Sequence, residues 1–259
     1  MSSSSSLRLA GRVALVTGGG SGIGRAAAQA YARDGAKVVV AGRRMAELEE
    51  TVSLILVEGG DAHAVAADVS ASADVEALVA ATLARFGRLD AAFNNAGIEG
   101  KFAPITELTE SDFDDVIRVN LRGVWLSIKA EIQAMQALGH GGTIVNTTSF
   151  LGTAAVAGSS AYSASKGAID AMIRAVALEV GPYNIRINNV APGAIKTPML
   201  GRLGGDKVTA PIAAHTPLRR IGLPDDIADV AVWLSTDEAR FITGQSLTVD
   251  GGMSIPGMR

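Results

Sequence analysis

Tyr162 and Lys166 lie four residues apart in the stretch SSAYSASKGAID, residues 159–170. In a helix, residues at i and i+4 share one face, so the phenol and the ammonium would be neighbours. A tyrosine hydroxyl has a pKa near 10, too high for proton transfer at neutral pH, and a cation within about 4–6 Å lowers that pKa. The spacing favours an acid/base pair that exchanges a proton with a substrate oxygen. The alternative is a half-buried tyrosine beside an exposed lysine.

Three further polar positions could complete such a site. Ser149 ends the predicted strand that precedes Tyr162, and its hydroxyl could donate to a carbonyl oxygen. The stretch NNAG, residues 94–97, ends another predicted strand. Asn120 falls inside the apolar helical pattern DFDDVIRVNLRGVWLSI, where asparagine is poorly favoured. Its position predicts either a polar role, such as holding a water molecule, or a hydrogen-bonded core amide.

A glycine-rich stretch, TGGGSGIG at residues 17–24, separates the first predicted strand from the first predicted helix. Glycine there permits a tight turn and a close backbone approach to a pyrophosphate, which the free N–H groups of the helix N-terminus can bind. The spacing of Gly18, Gly22 and Gly24 differs from the common GxGxxG pattern, and a tight turn without a ligand is the alternative. Its place after the opening strand favours dinucleotide binding.

The end of the second predicted strand bears on which dinucleotide binds. NAD-selective chains usually carry an acid there for the ribose 2′-hydroxyl, but this chain has Gly42 followed by Arg43 and Arg44. An arginine at that point can bind a 2′-phosphate through two hydrogen bonds. The sequence therefore favours NADP(H), with NAD(H) as the alternative. Both arginines could instead form the solvated rim of the next helix.

Short β-branched runs alternate with longer amphipathic segments along the chain. This alternation predicts parallel βαβ units, an α/β fold with helices on both faces of the sheet. We expect a flexible tail at 1–8, one domain over 9–259, and a mobile substrate loop at 194–217, where glycine and proline are frequent. The predicted strands are 12–17, 37–42, 62–68, 89–95, 143–149, 185–191 and 246–252. The predicted helices are 22–34, 45–58, 72–86, 111–138, 160–180 and 224–235.

Composition argues against several other functions. The 259 residues carry 26 acidic and 23 basic side chains, and no dense basic block predicts a nucleic-acid surface. The chain has no cysteine and its three histidines are far apart, which argues against a metal site. No run of about 18 apolar residues predicts a membrane span. We expect a cytoplasmic protein without nucleic-acid, membrane or metal partners.

Taken together, the motifs resemble those of the short-chain dehydrogenase/reductase family in its compact form. The match runs from residue 9 to residue 252 in family order, with TGxxxGxG, Asp68–Val69, NNAG, Asn120, Ser149, YxxxK and Pro192–Gly193. The resemblance implies a single-domain Rossmann fold with a doubly wound, seven-stranded parallel sheet. It also implies an NAD(P)-dependent oxidoreductase that interconverts a ketone and a secondary alcohol.

The family resemblance implies a role for each catalytic position. Tyr162 would be the general acid/base, and Lys166 would lower its pKa and hold the nicotinamide ribose. Ser149 would orient the substrate oxygen, and Asn120 would hold a water molecule that links Lys166 to solvent. Asp68 would accept a hydrogen bond from the adenine. The residues implied in cofactor binding are Gly18, Ser21, Gly22, Ile23, Gly24, Arg43, Arg44, Asp68, Val69, Asn95, Ala96, Gly97, Tyr162, Lys166, Pro192, Gly193, Ile195 and Thr197.

The substrate contacts implied are Ser149, Leu151, Tyr162 and Met199, with the stretches 99–104 and 150–158 as further candidates. The second stretch, FLGTAAVAG, is small and apolar apart from one threonine, which favours an apolar or weakly polar small-molecule substrate. Three residues separate Tyr162 from Lys166, whereas relatives that reduce enoyl thioesters usually have six. That spacing favours a carbonyl or alcohol substrate.

Several alternatives stay open at the level of sequence. NADP-preferring relatives often carry a basic residue just before Gly22, where this chain has Ser21. The enzyme could instead reduce 3-oxoacyl thioesters on a carrier protein, or the chain could be a dinucleotide-sensing regulator without catalysis. Because the family pairs its long helices between subunits, we expect the segments 111–138 and 160–180 to form a homotetramer, with a homodimer as the alternative.

Overall fold

Strands and helices alternate through the chain as the sequence pattern predicts. The computed structural model describes residues 7–256. The strands are β1 (Val13–Thr17), β2 (Lys37–Gly42), β3 (Ala62–Ala66), β4 (Ala91–Asn94), β5 (Gly142–Thr147), β6 (Ile185–Pro192) and β7 (Ser246–Val249). The α-helices are α1 (Gly22–Arg33), α2 (Met45–Val57), α3 (Ser72–Phe86), α4 (Glu110–Val116), α5 (Gly123–Leu138), α6 (Ser160–Val180), α7 (Pro198–Arg202), α8 (Asp206–His215) and α9 (Pro224–Leu234).

The described strands form one parallel sheet in the order β3-β2-β1-β4-β5-β6-β7. Successive side chains of a strand point to opposite faces, so Val16 and Leu15 of β1 enter two different apolar clusters. Helices α1, α2 and α9 pack on the Val16 face, and α3, α5 and α6 pack on the Leu15 face. The predicted α/β fold, a doubly wound seven-stranded sheet in a single domain, is confirmed. The strand order reverses between β1 and β4, so the carboxyl ends of these strands open a ligand crevice.

The predicted helix 111–138 is divided into three parts. Helix α4 begins at a capping box in which Thr109 and Asp112 exchange hydrogen bonds. A π-helical segment, Ile117–Arg122, then separates α4 from α5. The apolar periodicity continues through this segment, so the sequence pattern alone does not reveal it. Asn120 lies within this wider turn, a feature that is frequent at functional sites.

The segment 194–217 is more regular than the sequence predicts. Thr197 accepts a hydrogen bond from the backbone of Leu200, and Pro198 occupies the first turn, so α7 begins there. Helix α8 follows and contains Pro211. Because glycine and proline are frequent in this segment, the sequence pattern did not predict either helix.

At the N-terminus, residues 1–6 of the expected tail lie outside the described residues. Arg8, at the end of that expected tail, donates to Asp34 at 2.6 Å, and Leu9 is buried. Within residues 7–256, no helix is long and apolar enough to cross a membrane. The same part of the chain contains no group of three or more histidine, cysteine, aspartate or glutamate side chains arranged to hold a metal ion.

A row of buried polar side chains crosses the sheet; we call it the polar row. Asn94 donates to Glu131 at 2.9 Å and to Asn146 at 3.1 Å. Asn146 donates to Asn189 at 3.0 Å, and Asn189 donates to Asp170 at 2.9 Å. Burial raises the pKa of Glu131 to about 7, against the opposing effect of the Asn94 hydrogen bond. Oε1 of Glu131 has no hydrogen-bond partner among the described residues.

Candidate active site

A cavity of about 790 Å³ lies at the carboxyl ends of the strands. Every residue predicted for the site lines it except Gly24 and Asn120. Gly24 lies behind the cavity wall. Glycine is required at this position because a Cβ would clash with the carbonyl oxygen of Gly18. The fold therefore gathers residues that are dispersed over most of the sequence into one space large enough for a dinucleotide and a small substrate.

The glycine loop after β1 leaves the N-terminus of α1 open to this cavity. Gly18 has a φ of +66°, and a Cβ there would lie 2.9 Å from Nδ2 of Asn95. The Ser21 side chain makes no capping hydrogen bond in the described structure, so the first N–H groups of α1 remain available. Such a helix N-terminus binds a pyrophosphate through its N–H groups and its dipole.

Two residues that the sequence analysis missed hold this loop from outside the cavity. Arg25 donates to the carbonyl of Gly20 at 2.6 Å, and Thr51 donates to the carbonyl of Gly19 at 2.9 Å. Both side chains belong to helices that follow the loop or the next strand, at positions that no motif marks. The loop is thus fixed by the protein itself: the N–H of Gly19 donates to the carbonyl of Ala41 at 3.1 Å, while the first N–H groups of α1 stay open to the cavity.

At the adenosine end, Asp68 follows β3 rather than ending it. The prediction of a strand over 62–68 was too long, because β3 stops at Ala66. Burial opposes ionisation of Asp68, but hydrogen bonds from Ser70 and the charges of Arg43 and Arg118 together hold its pKa below the ordinary value. Asp68 is therefore an ionised acceptor at the cavity wall.

At the other end of the cavity, Lys166 and Tyr162 lie on one face of α6. The Lys166 ammonium donates to the carbonyl of Thr147 at 2.8 Å and lies 5.7 Å from the centre of the Tyr162 ring. Burial lowers the pKa of Lys166 to about 8, with the nearby Asp170 carboxylate opposing that shift. The i, i+4 spacing predicts that Tyr162 and Lys166 are neighbours, and the structure confirms this prediction.

The pKa of Tyr162 is not lowered in the protein alone, so the role expected for Lys166 stays a prediction for the protein with its cofactor. Burial raises the pKa of Tyr162 to about 12; a hydrogen bond with Ser149 opposes this rise, and the Glu99 carboxylate adds to it. The physical reason is that desolvation penalises the phenolate more than the neighbouring groups stabilise it. A phenol of this kind is a proton donor until further positive charge enters the cavity.

Ser149 does not end a strand, contrary to the sequence prediction. Strand β5 ends at Thr147, and Ser149 caps a short 3-10 turn by accepting from the N–H of Leu151 at 3.2 Å. Ser149 lies within hydrogen-bonding reach of Tyr162, and this hydrogen bond opposes the rise in the pKa of Tyr162. The hydroxyl of Ser149 can therefore meet the same substrate oxygen as Tyr162.

Asn120 is the core amide that the sequence left as one of two alternatives. Its Oδ1 accepts from the N–H of Ile98 at 2.8 Å, and its Nδ2 donates to the carbonyl of Ile98 at 2.8 Å. The side chain is fully buried and lies behind Gly97, whose Cβ would be 3.1 Å from Oδ1. The carboxamide therefore fixes the backbone just after the NNAG segment, and its Nδ2 also lies 3.4 Å from Oγ of Ser165.

An ion pair joins the segment after β4 to helix α7 at the substrate side. Arg202 donates to the two oxygens of Glu99 at 2.6 and 3.0 Å. Hydrogen bonding from Arg202 lowers the pKa of Glu99, against the effect of burial, so the carboxylate is ionised. The surrounding wall is largely apolar and includes Phe102, Leu151 and Met199. The sequence had marked the segment 99–104, but nothing in it indicated Arg202 as a partner.

The Glu99→Gln variant tests the electrostatic link between this ion pair and Tyr162. Loss of the carboxylate removes a charge that raises the pKa of Tyr162, so that pKa falls. If Tyr162 is the base in alcohol oxidation, the rise of kcat with pH moves to lower pH in the variant. A kcat–pH profile measures this, with exposed Glu107→Gln as the control. An unchanged profile would show that Glu99 does not act on the titrating group.

Comparison with known proteins shows which family the chain resembles. A family model described as enoyl-(acyl carrier protein) reductase matches residues 18–254. Levodione reductase from Leifsonia aquatica is 40% identical over 261 residues, covering 97% of this chain and 97% of its own length. A crystal structure of levodione reductase superposes with a TM-score of 0.93, at 39% identity, over 96% of this chain and 100% of that chain.

A crystal structure of a short-chain type dehydrogenase/reductase from Mycobacterium marinum is 32% identical, with a TM-score of 0.92, over 97% of this chain and 98% of that one. This chain belongs to the short-chain dehydrogenase/reductase family. A further family relative, 2,5-dichloro-2,5-cyclohexadiene-1,4-diol dehydrogenase from Sphingobium indicum, is 39% identical over 95% of this chain and 98% of its own length.

Membership of the short-chain dehydrogenase/reductase family makes the protein an oxidoreductase that acts on CH–OH donors. The family uses NAD(P)(H) as its cofactor. The relatives named above include both a reductase and a dehydrogenase, in agreement with a carbonyl–alcohol interconversion. The fold and family implied by the sequence motifs are confirmed.

Proposed function

We propose that this short-chain dehydrogenase/reductase interconverts an apolar ketone and the corresponding secondary alcohol, with Tyr162 as general acid/base and a preference for NADP(H). The observation that carries the proposal is the placement of Tyr162, Lys166 and Ser149 at one end of a cavity whose other end holds an open helix N-terminus and Arg43. The residues present fit a dinucleotide, because the N-terminus of α1 keeps its first N–H groups free while Arg25 and Thr51 hold the shape of the glycine loop.

The division of roles at the reacting end follows from the local contacts. The nicotinamide of the bound cofactor supplies or accepts the hydride. Ser149 orients the substrate oxygen, and Tyr162 gives that oxygen a proton in reduction or takes one in oxidation. Lys166, held by the Thr147 carbonyl, favours the phenolate as Tyr162 loses its proton.

The remaining site residues hold the cofactor and complete the proton relay. The carboxamide of Asn120 is bonded to Ile98. We therefore propose that the main chain of the π-helical segment, and not the Asn120 side chain, takes part in the proton relay. Asp68 and Val69 contact the adenine. The other predicted contacts line the cavity where the cofactor would lie between these two ends, namely Gly18, Ser21, Gly22, Ile23, Asn95, Ala96, Gly97, Pro192, Gly193, Ile195 and Thr197.

The preference for NADP(H) is supported by the state of the two arginines after β2. Arg44 is paired with Glu47 at 2.6 Å. Arg43 also lines the cavity, but within residues 7–256 its guanidinium makes neither a hydrogen bond nor an ion pair. An uncommitted guanidinium at this place is suited to a 2′-phosphate. NAD(H) is the alternative.

A second candidate function comes from the description of the matching family, which names an enoyl-(acyl carrier protein) reductase. A reductase of acyl thioesters, including 3-oxoacyl thioesters, would use the same proton donor and the same cofactor. The three-residue gap between Tyr162 and Lys166 and the apolar wall around Met199 and Leu151 support a small ketone or alcohol over an enoyl thioester.

The test is hydride transfer by the purified protein, followed at the nicotinamide absorbance. The panel contains cyclic and linear ketones, secondary alcohols, 3-oxoacyl thioesters and enoyl thioesters, each with both phosphorylated and unphosphorylated cofactors. We expect turnover of apolar ketones and alcohols, with the phosphorylated cofactor favoured. Turnover of thioesters alone would favour the second candidate, and cofactor binding without turnover of anything would favour a regulator.

We also propose that the protein is a homotetramer. Exposed apolar side chains support this proposal. Phe113 on α4 and Trp125 on α5 are about half exposed, at 45% and 47%, and Phe241 is fully exposed. Such large apolar groups on helix faces are typical of surfaces that a partner covers. Sedimentation velocity distinguishes a tetramer from the dimer alternative, and a monomer would contradict both.

A further inference from the structure

A third polar side chain follows Tyr162 and Lys166 on the same side of α6. Asp170 comes one turn after Lys166, as Lys166 comes one turn after Tyr162. Asp170 is only 7% exposed. A carboxylate buried to this degree is costly unless its oxygens are hydrogen-bonded and its charge is balanced. The acid/base chemistry proposed above does not use this residue.

The Asp170 carboxylate is fixed by side chains of two strands. Its Oδ1 accepts a hydrogen bond from Nδ2 of Asn189 at 2.9 Å and another from Oγ of Ser246 at 2.5 Å. Asn189 and Ser246 are register partners on β6 and β7. Both donors are neutral, so they satisfy the oxygen but do not balance the negative charge.

The cation placed to balance this charge is Lys166, which is 3% exposed. Its ammonium donates to the carbonyl of Thr147, and Thr147 pairs with Val190 in the β5–β6 ladder. The residue before Val190 is Asn189, which holds Asp170. Ammonium and carboxylate are therefore anchored at neighbouring rungs, which are about 3.3 Å apart along the strands. In the described part of the chain they make no direct ion pair, but attraction between charges acts over longer distances in a buried, low-dielectric site.

The other charged side chains on α6 and on the elements around it are engaged elsewhere or exposed. Those with partners are Glu99 with Arg202, Glu131 with Asn94, Arg118 and Arg122 with Ser70, Asp112 with Thr109, Asp115 with Arg118, and Arg186 with Thr236 and Ile242. The exposed ones are Glu110, Asp114, Arg174 and Glu179. Burial lowers the pKa of Lys166 to about 8, and the Asp170 carboxylate opposes that shift.

We propose that Asp170 is a positioning residue for the reaction, which keeps the Lys166 ammonium charged beside Tyr162 when the cofactor is bound. The inference rests on the proposed roles of Tyr162 and Lys166. The positive charge of an oxidised nicotinamide disfavours a second cation nearby. A carboxylate anchored one rung away offsets that repulsion. The phenolate of Tyr162 then forms beside a cation and not beside a neutral amine.

The Asp170→Asn variant isolates the charge, because its amide oxygen can still accept from Asn189 and Ser246. We expect the pKa of Lys166 to fall by about one further unit. The ¹³Cε chemical shift of Lys166, titrated in lysine-labelled protein and assigned with Lys166→Met, measures this without turnover. Glu179→Gln removes an exposed carboxylate from the same helix and should leave the titration unchanged. If Asp170→Asn does not fold, Asp170→Ser carries the same expectation.

Alcohol oxidation gives a second measurement, with a shift opposite in sign to that of Glu99→Gln. In Asp170→Asn, a lysine pKa lower by one unit reduces the fraction of protein with charged Lys166 up to about tenfold at pH 9. We therefore expect kcat to fall by up to about tenfold relative to the wild type at pH 9, and by less than about twofold at pH 6. If Asp170 acted only as a negative charge near Tyr162, its loss would favour the phenolate and raise kcat at pH 9.

The outcomes separate this inference from the proposed function. An unchanged titration of Lys166 in Asp170→Asn would overturn the inference. So would an equal loss of kcat at pH 6 and pH 9, because a residue that serves only the fold affects both alike. A wild-type turnover that does not depend on Tyr162 would overturn the proposed function, and the Lys166 titration would still decide whether Asp170 holds the charge.

Discussion

The Tyr162→Phe variant is expected to lose turnover by about 10²- to 10⁴-fold while its affinity for the cofactor stays within about threefold of the wild type. The Tyr162 hydroxyl is hydrogen-bonded with Ser149 in the cavity, and phenylalanine keeps the ring that packs 6.1 Å from Phe102. The change therefore removes one hydroxyl and little packing. Steady-state kinetics on the best substrate, together with cofactor titration, measures the two effects separately.

A matched control for this variant is Tyr183→Phe, which removes the same hydroxyl from a tyrosine that is 54% exposed and outside the cavity. It should retain the wild-type rate. If Tyr162→Phe kept turnover within tenfold of wild type, the proton would come from another group, and the assignment of Tyr162 would be wrong. Loss of cofactor binding as well would point to a structural role.

The Glu131→Gln variant is expected to be more stable than the wild type at pH 8, by up to about 3 kcal/mol. Burial raises the pKa of Glu131 from 4.5 to about 7. The folded protein therefore favours the protonated carboxyl. Its contribution to stability is complete below pH 4.5, declines as the pH rises toward 7, and is gone above that value. Glutamine imitates the protonated form and avoids the cost of a buried charge.

Thermal unfolding at one protein concentration, at pH 6 and at pH 8, measures this difference. The melting temperature of the wild type should fall more between the two pH values than that of Glu131→Gln. Glu179→Gln, which changes an exposed carboxylate on α6, should follow the wild type. Equal pH dependence in wild type and Glu131→Gln would show that Glu131 is ionised in the folded protein at both pH values.

Most of the candidate site could be predicted because its residues carry local signals. The glycine loop stands between a strand and a helix, and Tyr162 and Lys166 are set one turn apart, so a reader of the sequence can place both. The sequence does not show what depends on distant contacts. Glu99 meets Arg202 across the cavity, and Arg25 and Thr51 brace a loop from two different helices.

The sequence also misjudged groups whose behaviour depends on burial. The pKa of Tyr162 is raised because its surroundings desolvate it, and the spacing to Lys166 carries no information on that. For Asn120 the sequence left two alternatives open, and its hydrogen bonds to Ile98 come from a partner that only the fold supplies. The strand over 143–149 was predicted too long because Thr148 and Ser149 have strand-like character, although β5 ends at Thr147 and Ser149 caps a turn.

The polar row has a consequence for how the sheet assembles. Asn94, Asn146 and Asn189 are direct register partners on β4, β5 and β6. The strands around them are rich in alanine, valine and isoleucine, whose apolar contacts are not directional and so specify the register less sharply than hydrogen-bonded side chains do. A slide by one residue would separate the three amides and turn them toward apolar faces, leaving their donors and acceptors unpaired. The three hydrogen-bonded amides therefore specify the register in which β4, β5 and β6 pair.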